Sequence, residues 1–195
     1  MSDELPVKLQ RAALQPQQWS FYHRLKSVKR RKEYCFSRSL LNLIIQTHLP
    51  SISLARSYQD TDTGPRLNNT NYHISISHSH GVIAVAVASE PVGIDIEHIQ
   101  PRKNLAELAN MFMAPEELDG FLGAEMESRL FSFYEEWASK EAIFKSLERK
   151  QQYGLGLSDI RQIDFVRSGS LIRTTSCLNN QFVLSVALRA ESLSY

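Results

Sequence analysis

The chain has 195 residues, a net charge of +1 and a composition 43% hydrophobic and 22% charged, which is that of a globular protein and excludes wholesale disorder. That length holds one ordinary domain or two small ones packed together. Two cysteines, Cys35 and Cys177, exclude a disulfide framework or a thiolate metal cluster and fit a reducing cytosol.

The first residues, MSDELPVKLQ, lack the basic-then-apolar order of a signal peptide, and the longest apolar run, VIAVAVA, is too short to span a membrane. A cytoplasmic protein is expected. Residues 21 to 40 carry seven cations, Arg24, Lys26, Lys29, Arg30, Arg31, Lys32 and Arg38, against the single acid Glu33. The rest of the chain is therefore net negative, and the asymmetry reads either as a local anion site or as a solvated helical face.

WSFYHRLKSVKRRKEYCFSRSLLNLIIQTHL predicts two helical segments, the second from about Phe36 to Leu49 with Leu40, Leu41, Ile44 and Ile45 at helical spacing. QDTDTGPRLNNTN, residues 59 to 71, is rich in turn formers and reads as a loop. Three strands follow, YHISIS, VIAVAVAS and VGIDIE, and the unbroken apolar run of the middle one predicts burial on both faces. MFMAPEEL has the proline-then-acids pattern of a helix start. ESRLFSFYEEWASKEAIFKSLERK predicts a long helix ending near Gly154, and DIRQIDFV, LIRTTS and QFVLSVALR predict three more strands.

Helix then three strands thus occurs twice. The fold expected is α+β, with two similar subdomains, residues 1–100 and 101–195, related by a pseudo-twofold axis. Each is a helix plus a mostly antiparallel three-stranded sheet. Pairing within one chain favours a monomer.

In GIDIEHIQ, Asp95 and Glu97 lie two apart on a strand and share a face. Like charges so close need solvent, a proton or a cation between them. Trp137, Glu141 and Lys145 share one face of the long helix at i, i+4 and i+8. Helix grammar alone makes Glu141–Lys145 a surface ion pair. Assembled, Asp95, Glu97 and Glu141 supply three hard oxygen ligands, which suits Mg²⁺ together with phosphate oxygens. Arg38 offers a planar fork for a phosphate. Met111, Phe112, Met113 and Phe121 read either as core or as an apolar docking surface.

ISHSHG, VGIDIE and WASKEAIFK, in this order, resemble the successive signatures of the Sfp-type 4′-phosphopantetheinyl transferases. FSRSLL resembles the family's arginine-bearing helix, and MFMAPEEL its F-x-x-x-E-E region. The resemblance implies transfer of 4′-phosphopantetheine from coenzyme A to a serine of an acyl or peptidyl carrier protein, releasing adenosine 3′,5′-bisphosphate. It implies Mg²⁺ on Asp95, Glu97 and Glu141, with Glu141 and Lys145 catalytic. It also implies that Arg38, Ser77, His78, Lys140 and Lys145 bind coenzyme A. The family's Gly-Lys-Pro loop is here Gly64-Pro65-Arg66, so Arg66 would supply that charge.

Two other classes compete. A phosphodiesterase would use the same acids, water as acceptor and a second metal drawn from His73, His80 or His98. A nucleotide- or RNA-binding module would want aromatics on a strand face, whereas Phe21, Tyr22 and Tyr34 fall in predicted helix. Neither accounts for the three acids, Lys145 and His78 together, so neither nucleic acid nor membrane is an expected partner.

Overall fold

The computed structural model describes residues 14–53, 58–61, 64–161 and 171–189, with the side chains of 171–174 excepted. Helix α1 (Pro16–Arg24) starts with its proline in the first turn, where no amide is needed, and the Gln18 side chain accepts the Gln15 N–H at 2.8 Å. Helix α2 (Val28–His48) begins at Ser27, whose hydroxyl accepts the Arg30 N–H at 3.5 Å. The break between segments therefore lies at residues 25–27, ahead of the expected Phe36. Arg31 closes that joint by donating Nε–H to the Leu25 carbonyl at 2.8 Å.

The stretch expected to be a loop is mostly a short hairpin. β1 (Tyr58–Thr61) and β2 (Gly64–Leu67) pair antiparallel, and Gly64 enters β2 at φ +119°, a conformation only glycine takes easily. Composition pointed to a loop and missed the two paired strands. β3 (His73–Ser79) and β4 (Val82–Ala88) form a second hairpin. Its two-residue turn, His80-Gly81, has both φ values positive (47° and 83°), the twist that suits a tight hairpin. Every residue of β4 is only half-buried, so the expected burial on both faces does not occur. Val85 and Val87 pack on Leu41, Ile45, Tyr58 and Leu67, which joins this hairpin to α2.

β5 (Val92–His98) does not complete that first sheet. It pairs antiparallel with β7 (Phe182–Arg189), which pairs in turn with β6 (Leu171–Leu178), giving the order β5–β7–β6. The expected boundary at residue 100 is thus crossed: GIDIE belongs by its ladder to the sheet of the second half. A sequence pattern reports which residues suit a strand but not which partner the strand takes. β3 meets β5 instead through side chains, with Ile94, Ile96 and His98 N–H donating to the hydroxyls of Ser75, Ser77 and Ser79 at 3.0, 3.3 and 3.1 Å. Of the expected strand DIRQIDFV, residues 162–166 lie outside the described residues, and Leu157–Asp159 form a 3₁₀ turn.

After β5 come α3 (Leu105–Asn110), α4 (Pro115–Gly123), α5 (Met126–Ser146) and α6 (Arg149–Gln152). Glu117 caps α4 by accepting the Ala114 N–H at 2.8 Å. Phe112, Met113 and Phe121 are core, packed with Phe133 and Tyr134, while Met111 is 75% exposed. Among the described residues no helix is long and apolar enough to cross a membrane.

The long helix α5 lies against β5, β7 and β6. A Cβ at position 93 would stand 1.8 Å from the Ala142 carbonyl oxygen and 2.7 Å from the Ser146 nitrogen, both rigid helix backbone. Glycine is what allows β5 and α5 to touch. Gly93→Ala must push them apart, with an expected loss of about 3 kcal/mol in urea unfolding. A loss below about 1 kcal/mol would show that the contact relaxes freely.

Candidate active site

The close approach at Gly93 sets the position of the acids. Residues 93, 95 and 97 share one face of β5, and Gly93 puts that face against α5. Asp95 is 3% exposed. Its Oδ1 accepts from Lys145 Nζ at 2.6 Å and from Ser77 Oγ at 2.8 Å, while Oδ2 is buried without a hydrogen-bond partner. Glu141 Oε2 lies 3.8 Å from the same ammonium. Glu97 Oε2 is 3.5 Å from Ser79 Oγ, and the Trp137 indole beside it favours the charged form. The helical face 137, 141, 145 and the strand face 95, 97 therefore meet.

Burial, then the charge of Asp95, pushes the Glu97 pKa up to about 7. Burial also raises that of Glu141, with Asp95 adding to the rise and Lys145 opposing it. Three crowded carboxylates share one ammonium. Among the described residues no group of three or more His, Cys, Asp or Glu side chains is drawn tightly enough to hold a metal as it stands. Lys145 offsets part of the acids' charge in that arrangement. The donor chemistry still fits a hard divalent cation: Asp95 Oδ2 is a buried oxygen with no proton donor, beside two carboxylates whose charged forms are disfavoured without one.

Glu141 and Lys145 line one wall of a cleft of about 1200 Å³. Arg30 of α2, Arg66 of β2, His78 of β3 and Arg149 of α6 line others. The His78 side chain is 49% exposed, with Nδ1 3.9 Å from Glu33 Oε1. Arg38 also borders the cleft but is engaged. Its Nη2 and Nε donate to Asp60 Oδ1 at 2.7 and 3.1 Å, and its guanidinium lies 4.5 Å over the Tyr34 ring. Asp60 accepts as well from the hydroxyls of Tyr34 and Tyr58. This knot joins α2 to β1. Sequence reasoning missed Asp60, because residues 59 to 71 read as loop.

Two expected cofactor contacts are placed otherwise. Ser77 is 7% exposed and turned to β5, where its hydroxyl lies between Ile96 N and Asp95. Lys140 needs a correction. It is fully buried, about 100° around α5 from Glu141, and donates to Glu117 at 2.6 Å and to the carbonyls of Ile160 and Leu157 at 2.8 and 3.3 Å. It ties α4 and the 157–160 turn to α5, away from the cleft.

The 4′-phosphopantetheinyl transferase superfamily profile matches residues 91–191, just over half of the chain and the part that carries Asp95, Glu97, Glu141 and Lys145. The chain belongs to the 4′-phosphopantetheinyl transferase superfamily. Within that superfamily it is 36% identical over 86 residues to a Bacillus subtilis 4′-phosphopantetheinyl transferase, covering 44% of this chain and 35% of the relative. It is 30% identical over 116 residues to the transferase Sfp of Bacillus subtilis strain 168, covering 54% and 48%. With the transferase AcpT of Salmonella typhimurium it shares 39% over 72 residues, covering 36% and 38%. The chain thus spans about a third to a half of the length of these relatives.

Two measurements test this geometry. Folding raises the Glu97 pKa, so between pH 4.5 and about 7 the folded state holds the extra proton and loses stability as pH rises. In chelator, Glu97→Gln should therefore melt higher than wild type at pH 7.5, with the gap closing by pH 4.5. A gap independent of pH would contradict the assignment. Separately, Lys140→Met removes one partner of a buried pair and should cost about 3 kcal/mol of stability. Its folded fraction should keep any cofactor affinity the wild type has, and a selective loss of affinity would restore Lys140 to the site.

Proposed function

We propose that this chain transfers 4′-phosphopantetheine from coenzyme A to a serine of an acyl or peptidyl carrier protein, in a Mg²⁺-dependent reaction releasing adenosine 3′,5′-bisphosphate. The observation that carries the reading is the meeting of Asp95 and Glu97 from β5 with Glu141 and Lys145 from α5, beside a cleft bordered by Arg30, Arg66 and Arg149. Carboxylates at one place and cations along the other walls suit a ligand with a diphosphate and a further phosphate. The family match covers all four of those residues.

In this reading the carrier serine Oγ forms a bond to the β-phosphorus. The bond from that phosphorus to the bridging oxygen breaks, and adenosine 3′,5′-bisphosphate leaves with the bridging oxygen and its electron pair. The serine proton passes to Glu141, directly or through one water, and its raised pKa suits a group that must take up a proton near neutrality. Lys145, 31% exposed on its side chain, would leave Asp95 to donate to the departing phosphate oxygen. Asp95, Glu97 and Glu141 would hold Mg²⁺, which when bound offsets the diphosphate charge. Arg66 and His78 would bind the phosphates of coenzyme A, and Arg38, through its Asp60 tie, would hold that wall of the cleft in place.

Intact mass measurement of an apo carrier protein incubated with the chain, coenzyme A and Mg²⁺ tests the proposal. The expected result is a gain of one phosphopantetheine, abolished by chelator. Glu141→Gln and Lys145→Met should each slow the gain by roughly 10²–10³-fold. Unmodified carriers across several types, together with release of free phosphopantetheine into solution, would instead favour a hydrolase acting on the same bond.

A further inference from the structure

Strand β3 carries serines at 75, 77 and 79, on one face by the period of two. Each hydroxyl accepts a β5 amide, from Ile94, Ile96 and His98 in turn. With the amide on its oxygen, the hydroxyl has one proton left to give. Ser77 gives it to Asp95 Oδ1 at 2.8 Å, and Ser79 faces Glu97 Oε2 at 3.5 Å. The third rung lacks such a partner for a plain reason: the residue before Ile94 is Gly93. Two rungs out of three therefore hold an acid, and they are the two acids of the strand.

We infer that Ser77 and Ser79 are positioning residues whose hydroxyls serve a divalent cation site rather than coenzyme A. Ser77 holds Asp95 Oδ1 whether or not Lys145 stays on it, which orients the carboxylate and leaves Oδ2 unpartnered for the ion. Ser79 has a weaker hold on Glu97, at 3.5 Å in a half-buried site where its hydroxyl also lies 3.4 Å from His80 Nδ1. The β3–β4 hairpin thereby sets the ligand geometry of a strand in a different sheet. This assignment rests on the proposed metal-dependent transfer.

The test is isothermal titration of Mn²⁺ into the metal-stripped full chain, as wild type, Ser75→Ala, Ser77→Ala and Ser79→Ala. The expected weakening is roughly tenfold for Ser77→Ala and about threefold for Ser79→Ala, the range seen when groups that orient metal ligands are removed. Ser75→Ala loses the same kind of amide bond but frees no carboxylate, so its affinity should match wild type. In chelator, Ser77→Ala should bind coenzyme A as tightly as wild type. Three results overturn the inference: equal Mn²⁺ affinity for Ser77→Ala and wild type, equal weakening by Ser75→Ala, or loss of coenzyme A binding in chelator by Ser77→Ala. Should Ser77→Ala fail to fold, Ser79→Ala against Ser75→Ala decides by the same comparison. Wild-type protein that takes up no Mn²⁺ would sink the metal reading itself, an outcome separate from the variants' agreeing with wild type.

Discussion

The arrangement of this protein depends on how β3 is joined to β5. Adjacent strands ordinarily share backbone hydrogen bonds, yet here the amides of Ile94, Ile96 and His98 are satisfied by serine hydroxyls. A side-chain acceptor adds the length of a serine to the spacing on that edge, while β5 ladders with β7 on the other. The strand thus belongs to one sheet by its backbone and to another by its neighbours' side chains. Replacing those serines with apolar residues would leave buried amides without acceptors, a cost of about 1–3 kcal/mol each.

The second constraint is the absence of a side chain at Gly93. With α5 in contact with the strand there, Asp95 comes within 2.6 Å of Lys145, a pair separated by 50 residues in the chain. Behind them lies a small hydroxyl cluster. Ser139 of α5 and Ser185 of β7 are both fully buried and 3.4 Å apart, with Ser185 paired in register opposite Asp95. Small polar residues at this layer keep helix and sheet close without an apolar wedge, and close packing is what places charges from two elements at one point.

Much of this site was legible because its residues follow simple periods. Period two put Asp95 with Glu97, and the helical repeat put Glu141 with Lys145. The same period-two reading of HISISHS could have shown that Ser75, Ser77 and Ser79 share a face, though not that the face meets β5. The resemblance implied a cofactor contact for Lys140, yet adjacency in sequence to Glu141 says nothing about azimuth. One residue along a helix is about 100° of rotation, enough to turn a side chain from cleft to core. The β1–β2 hairpin and the partner of β5 were illegible for another reason. Both depend on tertiary pairing, which local composition does not encode.

The Asp60 knot has a consequence for spectroscopy. Burial, followed by hydrogen bonding to Asp60, raises the pKa of the Tyr34 phenol far above its usual value, and burial with the Asp60 charge does the same for Tyr58. Docking of α2 on β1 thus disfavours both phenolates. Their phenolate absorbance would therefore report the undocking of that joint rather than a simple acid–base equilibrium. The protein carries its own chromophore for the integrity of its N-terminal half.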